Sequence, residues 1–268
     1  MTSTEQEILA RLPERYPWRP YFHYTDTVDS TNDRLKVLAK QGAPHGTVLI
    51  AGQQTGGHGR QGRSFQSPEG VGVYLSVLLR PDCRPGELMH LTCAVGVAMC
   101  DAVEKAALFR PGIKWTNDLV WGRKKLGGIL AELGLSPSGQ VDYAIVGIGI
   151  NCCQSQEDFP PEIRSMAASL TMATGRPVSR EDLAAAMMEA LAAMSDGLLE
   201  RKEAMLGQYR QDCITIGQDI SLVRGEEIRR GKALDVDADG ALVVAFPDGT
   251  VEAVSSGEVS VRGMYGYV

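Results

Sequence analysis

The chain has 268 residues, 44% hydrophobic and 22% charged. These are the proportions of an ordinary globular protein, long enough for one large domain or a large domain with a small one attached. A formal net charge of −6 excludes a general affinity for nucleic acid, which needs a basic face. No apolar run is expected to reach the about 18 residues of a membrane span. The start, Met1-Thr2-Ser3-Thr4-Glu5-Gln6-Glu7, lacks the basic and apolar regions of a signal peptide. The six cysteines show no C-x-x-C spacing, and Cys152 and Cys153 are adjacent, which points to reduced thiols in a cytoplasmic protein. The four scattered histidines give no zinc-ligand spacing.

Residues 1–20 are polar and proline-bearing and predict at most one short helix. The aromatic and β-branched stretch 21–27 predicts a strand. Ser30-Thr31-Asn32-Asp33 then opens a helix, with Leu35, Leu38 and Ala39 on one face and Gly42 as its stop. Strands are expected at 47–51 and 71–79. Residues 88–108 predict a long amphipathic helix, with Leu91, Val95, Ala98, Met99 and Val103 at helical spacing. Stretches 113–120 and 128–135 predict a strand pair around Trp121-Gly122-Arg123-Lys124, and 142–150 a buried strand. A helical region runs from Ser179 to about Gln211. Near Gly217 the texture changes to short strands at 219–224, 227–237, 241–246, 250–254 and 259–262, with turns at Ala238-Asp239-Gly240 and Pro247-Asp248-Gly249. This predicts a small all-β unit packed on the larger one, with a boundary between residues 216 and 217.

The densest chemistry lies at Gln53-Gln54-Thr55-Gly56-Gly57-His58-Gly59-Arg60-Gln61-Gly62-Arg63. Glycines let backbone N–H groups approach a ligand, and arginine offers a permanently charged fork for phosphate or carboxylate. The composition points to a loop that wraps an anion. Gly57 to Gly62 fits G-x-G-x-x-G, but the dinucleotide fingerprint needs a helix opening inside it. Here Pro68 and Gly70 follow instead. A P-loop is excluded because no Gly-Lys-Ser/Thr closes the loop.

Further along, Lys114-Trp115-Thr116-Asn117-Asp118 brings an ammonium, an amide and a carboxylate into one segment. An Asn-Asp turn accounts for these residues structurally; contact with a nucleotide and Mg²⁺ accounts for them functionally. In Arg123-Lys124-Lys125-Leu126-Gly127-Gly128, Lys125 is placed to enter a pocket while Arg123 and Lys124 stay in solvent. Such a lysine neutralises charge at a developing phosphoanhydride. Val146-Gly147-Ile148-Gly149-Ile150-Asn151 leaves one strand face bare, for a flat ligand or for close packing, with Asn151 a polar contact at its end. Ser30 and Asp33 have capping-box-like spacing, so one hydroxyl caps and its neighbours remain for a ligand.

In this order the motifs resemble those of biotin protein ligases. The residues are Ser30-Thr31-Asn32; Gln54-Thr55, Gly57-His58-Gly59-Arg60 and Gly62-Arg63; Lys114-Trp115 and Asn117-Asp118; Lys125-Leu126 and Gly128-Ile129-Leu130; and Gly147, Gly149 and Asn151. The resemblance runs from about Ser30 to Leu170 and more weakly beyond. It implies an α+β fold: a mixed β-sheet with helices, akin to class II tRNA synthetases and lipoate ligases, followed by a small SH3-like β-barrel. It implies an enzyme that joins biotin to ATP, with Mg²⁺, and passes biotin from biotinyl-5′-AMP to a lysine of a biotin carboxyl carrier protein domain.

By the same resemblance Lys125 and Arg60 are catalytic. The biotin set is Ser30, Thr31, Asn32, Gln54, Gly57, His58, Gly59, Arg60, Lys125, Gly147 and Gly149. Arg60, Arg63, Phe65, Asn117 and Asn151 serve ATP, and Asp118 serves Mg²⁺. The sequence departs from the family pattern at His58, where Arg is common; at Thr116, where Pro is usual; and at Phe65, where a Trp can stack on adenine. A homodimer is compatible with this reading, and neither DNA nor a membrane is an expected partner. The alternatives are a lipoate or octanoyl ligase, a non-catalytic biotin-sensing repressor, and, from the glycine pattern alone, a nicotinamide dehydrogenase.

Overall fold

The structure is a computed structural model describing residues 2–255 together with the strand backbone of 260–263. In chain order the elements are α1 (Ser3–Arg11), β1 (Phe22–Val28), α2 (Thr31–Lys40), β2 (Thr47–Gln54), β3 (Gly72–Leu79), α3 (Leu91–Ala107), β4 (Gly112–Lys114), β5 (Asp118–Trp121), β6 (Lys124–Leu135), β7 (Val141–Asn151), α4 (Leu170–Thr174), α5 (Arg180–Ser195), α6 (Lys202–Asp212), β8 (Asp219–Arg224), β9 (Glu227–Val236), β10 (Leu242–Ala245), β11 (Val251–Val254) and β12 (Ser260–Gly263). The fold is α+β, as expected. A seven-stranded mixed sheet has the order β1-β2-β3-β7-β6-β5-β4, and a five-stranded antiparallel sheet the order β11-β10-β9-β8-β12. In the larger sheet only β1 and β2 run parallel.

Strand alternation divides the large sheet into two faces. Val73, Leu75 and Val77 of β3 and Val146, Ile148 and Ile150 of β7 join the main core, which also takes in α1, α3 and α5. The opposite face carries Leu78, Tyr143 and Ile145, covered by Leu35 and Ala39 of α2 in a second, smaller core. Ser76, Gly147 and Gly149 fall on this α2 face by the same alternation. The sheet therefore reserves the main-core face for stability and leaves the α2 face its polar residues.

Two predicted elements divide. The 113–120 strand is a hairpin, because the chain reverses at Trp115, Thr116 and Asn117 to pair β4 with β5. The Trp115–Thr116 peptide bond there is cis. The 179–211 helical region is broken between Ser195 and Lys202 into α5 and α6. Contrary to the expected absence of a long apolar run, Pro85–Ala107 has the length and composition to cross a membrane; an 18-residue window within it has a mean hydropathy of 1.3 and is 72% buried inside the protein. Its apolarity serves the main core: the N-terminal half of α3 is buried nearly all round, and its C-terminal turns are amphipathic as expected, with Asp101, Glu104 and Lys105 exposed on one face. All six cysteines are free thiols. The predicted 259–262 strand is β12, with residue 259 outside the described residues.

The α2 side is tied to α5 through His45. Its Nδ1 accepts the Arg80 N–H at 3.0 Å, and its Nε2 faces the Ser195 hydroxyl at 3.2 Å. Burial lowers the His45 pKa from the ordinary 6.5, with Asp196 pulling weakly the other way. His90, fully buried and held by the Leu198 carbonyl at 2.7 Å, is lowered for the same first reason. A histidine lowered by folding stabilises above its unfolded pKa, and that stability is lost as pH falls through the folded value. Unfolding followed by circular dichroism should therefore show falling stability from pH 7 to 5, with a shallower fall in His45→Asn. An unchanged slope would remove His45 from this account.

Candidate active site

One extra residue in β6 sets the position of Lys125. Asp118 pairs with Gly128 and Leu119 with Gly127, but the register then shifts so that Val120 pairs with Lys125. Leu126 is the bulged residue and is fully buried in the main core. Strict alternation would send Lys125 and Gly128 to opposite faces; a bulge re-aims the side chain. Lys125 Nζ thus reaches Asp118 Oδ1 at 2.6 Å. The Lys125 backbone is gripped from its other edge, its N–H donating to the Met166 carbonyl at 2.7 Å and its carbonyl accepting from Ala168 at 2.9 Å. A Cβ on Gly128 would lie 3.1 Å from Lys125 Nζ and 3.6 Å from Asp118 Oδ1, so this glycine makes room for the pair.

Next to this pair, Arg60 Nη1 donates to Asn117 Oδ1 at 3.1 Å. Asn117 is itself fixed on β6, its Nδ2 donating to the Ile129 carbonyl at 3.0 Å. Burial lowers the Arg60 guanidinium from its usual value; the Asp118 carboxylate raises it and Arg63 lowers it further. Asn117, Asp118, Arg60 and Lys125 therefore converge. Arg63 is exposed, with a guanidinium nitrogen 3.3 Å from Gln61 Oε1. Lys124 is half-buried and reaches Gln156 at 3.3 Å, whereas it was expected in solvent; Arg123 is exposed as expected.

A polar chain crosses the α2 face. Ser30 caps α2 by accepting from the Asp33 N–H at 3.4 Å. Gln54 Oε1 accepts from Thr31 N at 2.9 Å and meets Thr31 Oγ1 at 3.0 Å. Thr31 Oγ1 lies 2.7 Å from Ser76 Oγ, which lies 2.6 Å from Asn32 Oδ1. Asn32 Nδ2 donates to Glu132 at 2.9 Å, and the same carboxylate takes Lys36 at 2.7 Å. Three oxygen–oxygen contacts thus share two hydroxyl protons, because an amide oxygen supplies none. The chain is therefore one proton short of filling these three contacts.

The strand face at Gly147 and Gly149, open by sequence to a flat ligand or to close packing, is closely packed by the protein's own side chains. A Cβ on Gly147 would sit 2.1 Å from Asn32 Oδ1, and one on Gly149 would sit 2.3 Å from Phe65 Cε1. Asn32 is therefore a buried support with both ends of its amide engaged. Asn151 is likewise 7% exposed, its Nδ2 bonded to the Ala168 carbonyl and its Oδ1 to Gln154.

The glycine-rich segment forms a small hairpin over this face, with bridges Gln54–Ser67 and His58–Ser64. At its tip Arg63 N–H returns to the Arg60 carbonyl, with φ of 56° at Gln61 and 69° at Gly62, the positive values of a tight I′ turn. Gly59 donates to the Arg63 carbonyl at 2.7 Å. Gly57 lies so close to Phe65 O, Ser67 Oγ and Gln54 Nε2 that a Cβ would come within 2.7–3.1 Å of them. His58 Nδ1 lies 3.2 Å from the Gly56 carbonyl and 4.0 Å from Asp33 Oδ2, so its immediate neighbours are acceptors.

Sequence reasoning missed Ser76 and Glu132. The signal was present in each case: a lone polar residue inside an apolar strand is a buried group in need of a partner.

Residues 24–151 match the Biotin/lipoate A/B protein ligase family, and residues 215–262 match the Biotin protein ligase C terminal domain. A Biotin--[acetyl-CoA-carboxylase] ligase of Mycobacterium tuberculosis is 32% identical over 237 residues, 86% of this chain and 85% of that one. The chain belongs to the biotin protein ligase family. The Bifunctional ligase/repressor BirA of Bacillus subtilis is 32% identical over 249 residues, covering 87% of this chain and 72% of that protein. The structure of the Aquifex aeolicus biotin protein ligase, in complex with biotin and ATP, has a TM-score of 0.76 at 31% identity, with 90% of this chain and 98% of that one covered.

Gly128→Ala should separate site geometry from stability. The added methyl meets the end of a flexible lysine, so the fold should tolerate it while Nζ is pushed from its place. Melting within a few degrees of wild type with strongly reduced adenylate formation is the expected result. Full activity would mean that the Nζ position is not critical.

Proposed function

We propose that the chain activates biotin with ATP on the α2 face and transfers it to a lysine of a biotin carboxyl carrier domain. The observation that carries this reading is the convergence of Lys125, Arg60, Asn117 and Asp118 beside a polar chain short of one proton. In the first step an oxygen of the biotin carboxylate attacks the α-phosphorus of ATP. A carbon–oxygen–phosphorus anhydride forms, the bond to the β-phosphate oxygen breaks, and pyrophosphate leaves. In the second step the acceptor amine attacks the anhydride carbonyl, AMP leaves and the amine loses a proton.

Two anions must meet in the first step, and negative charge concentrates further in the transition state. A fixed ammonium at Lys125 stabilises that state more than the separated reactants, which raises rate and not only affinity. Asp118 holds Nζ in place. Arg60 adds a permanent charge over the phosphates, and Arg63 and Phe65 reach the nucleotide from the same hairpin. A ureido N–H of biotin supplies the missing donor to the chain of Thr31, Gln54 and Ser76. A lipoyl dithiolane has no such donor and would leave these groups unpaired.

Mg²⁺ suits this site only in a limited form. Among the described residues no three His, Cys, Asp or Glu side chains form a metal cluster. The donor chemistry agrees with an ion carried on ATP phosphates and waters, with Asp118 as one carboxylate ligand. The carrier domain, catalysis within residues 1–216 and assembly as a homodimer belong to this same proposal.

Pyrophosphate release that requires both biotin and ATP tests the reading. Lys125→Ala should stay folded and lose about 10²–10³-fold in rate, the scale of a lost transition-state charge partner. Lys125→Arg should recover part of it, because the planar head cannot occupy the same point. Gln54→Ala should weaken biotin and spare ATP. Near-normal turnover in Lys125→Ala, or pyrophosphate release driven by lipoate in place of biotin, would overturn the proposal.

A further inference from the structure

The β4–β5 hairpin that carries Asn117 and Asp118 lies at the edge of the large sheet, and β4 has only three residues. Its outer side is supported by the chain leading into the small sheet. Ile214 N–H donates to the Ile113 carbonyl at 2.9 Å, and Trp115 N–H donates to Thr215 Oγ1 at 2.9 Å. Tyr209 of α6 donates its hydroxyl proton to the Thr116 carbonyl at 3.0 Å. One bond comes from within the small sheet itself: Trp115 Nε1–H donates to the Gly240 carbonyl at 3.0 Å.

The turn that presents this carbonyl is rigid. Asp237 Oδ1 accepts from Asp239 N at 2.8 Å and Ala241 N at 2.9 Å, and Asp239 is paired with Lys202 at 2.7 Å. Gly240 has φ +83°, and a Cβ there would come within 3.0 Å of Cys93 Sγ. Trp115 is 4% exposed, so its indole N–H has no water to fall back on and an orphaned donor is costly.

We infer that Trp115 is a positioning residue through which the β9–β10 turn of the small sheet fixes the Asn117–Asp118 end of the nucleotide site. The chain of contacts runs from Gly240 O to the Trp115 indole, along two residues of backbone to Asn117, and on to Arg60 and the Asp118–Lys125 pair. The Thr31–Gln54–Ser76 chain has no part in it. Disturbing the Trp115–Gly240 bond therefore loosens ATP and leaves biotin alone. This rests on the assignment of Asn117 and Asp118 to the nucleotide under the proposed function.

The test is a double-mutant cycle on the full chain. Trp115→Phe keeps an aromatic ring and removes the N–H; Gly240→Ala displaces the turn from the other side. Each should raise the ATP KM about 3- to 10-fold, the scale of one neutral hydrogen bond, with the biotin KM unchanged. The double variant should be no worse than the poorer single one, because both remove the same contact. Thr215→Val, which removes the acceptor for the Trp115 backbone N–H, should move the same constant and serves where either single variant folds poorly. A merely structural role would lower the melting temperature while leaving the ratio of the two KM values as it was. Equal shifts in both KM values, unchanged KM values, or additive effects in the double variant would overturn the inference. A wild-type protein that releases no pyrophosphate from biotin and ATP would overturn the underlying reading as well, whereas an active wild type with an unaffected ATP KM in the variants sinks this inference alone.

Discussion

The site depends on the bulge at Leu126. Without it β6 would alternate regularly, and Lys125 and Gly128 would fall on opposite faces of the sheet. With it, Leu126 stays in the main core and Lys125 turns toward Asp118. The core side chain anchors the backbone at the point where the Lys125 side chain departs. The grip of Met166 and Ala168 on the Lys125 backbone removes the remaining freedom. An ammonium held in this way needs little reorganisation when charge develops, the condition under which electrostatic stabilisation acts most strongly.

The rest of the α2 face is arranged around that point. Glycines on β6 and β7 are there because something else occupies the space of a side chain: Lys125 over Gly128, Asn32 over Gly147, Phe65 over Gly149. The polar chain from Gln54 to Glu132 continues from this packing. Charge at one end and hydrogen-bond acceptors at the other suit a ligand that is anionic at its head and amide-like at its tail. Biotin has that polarity. The hairpin with Arg60 and Phe65 spans both ends and covers them together.

Much of this was legible in the chain. The cap at Ser30, the buried strands and the turns of the small sheet follow from local chemistry, and the order of motifs identified the family. The failures are tertiary. The reversal at Trp115-Thr116-Asn117 carries no glycine or proline, and its support comes from residues about 90 to 125 positions later. The bare faces of Gly147 and Gly149 look the same in sequence whether a ligand or a side chain fills them. The bulge at Leu126 leaves no mark beyond the paired glycines after it. The mid-strand polar residues Ser76 and Glu132 stand out in the chain, but their partners Thr31 and Asn32 lie far away in sequence.

The most direct measurement is a crystal structure with biotinyl-5′-AMP. The account predicts the ureido group against Thr31, Gln54 and Ser76, and the anhydride phosphate within hydrogen-bond distance of Lys125 Nζ, with the nucleotide under the Arg60 hairpin. An adenylate bound elsewhere, or bound here with its phosphate remote from Lys125 Nζ, would contradict it.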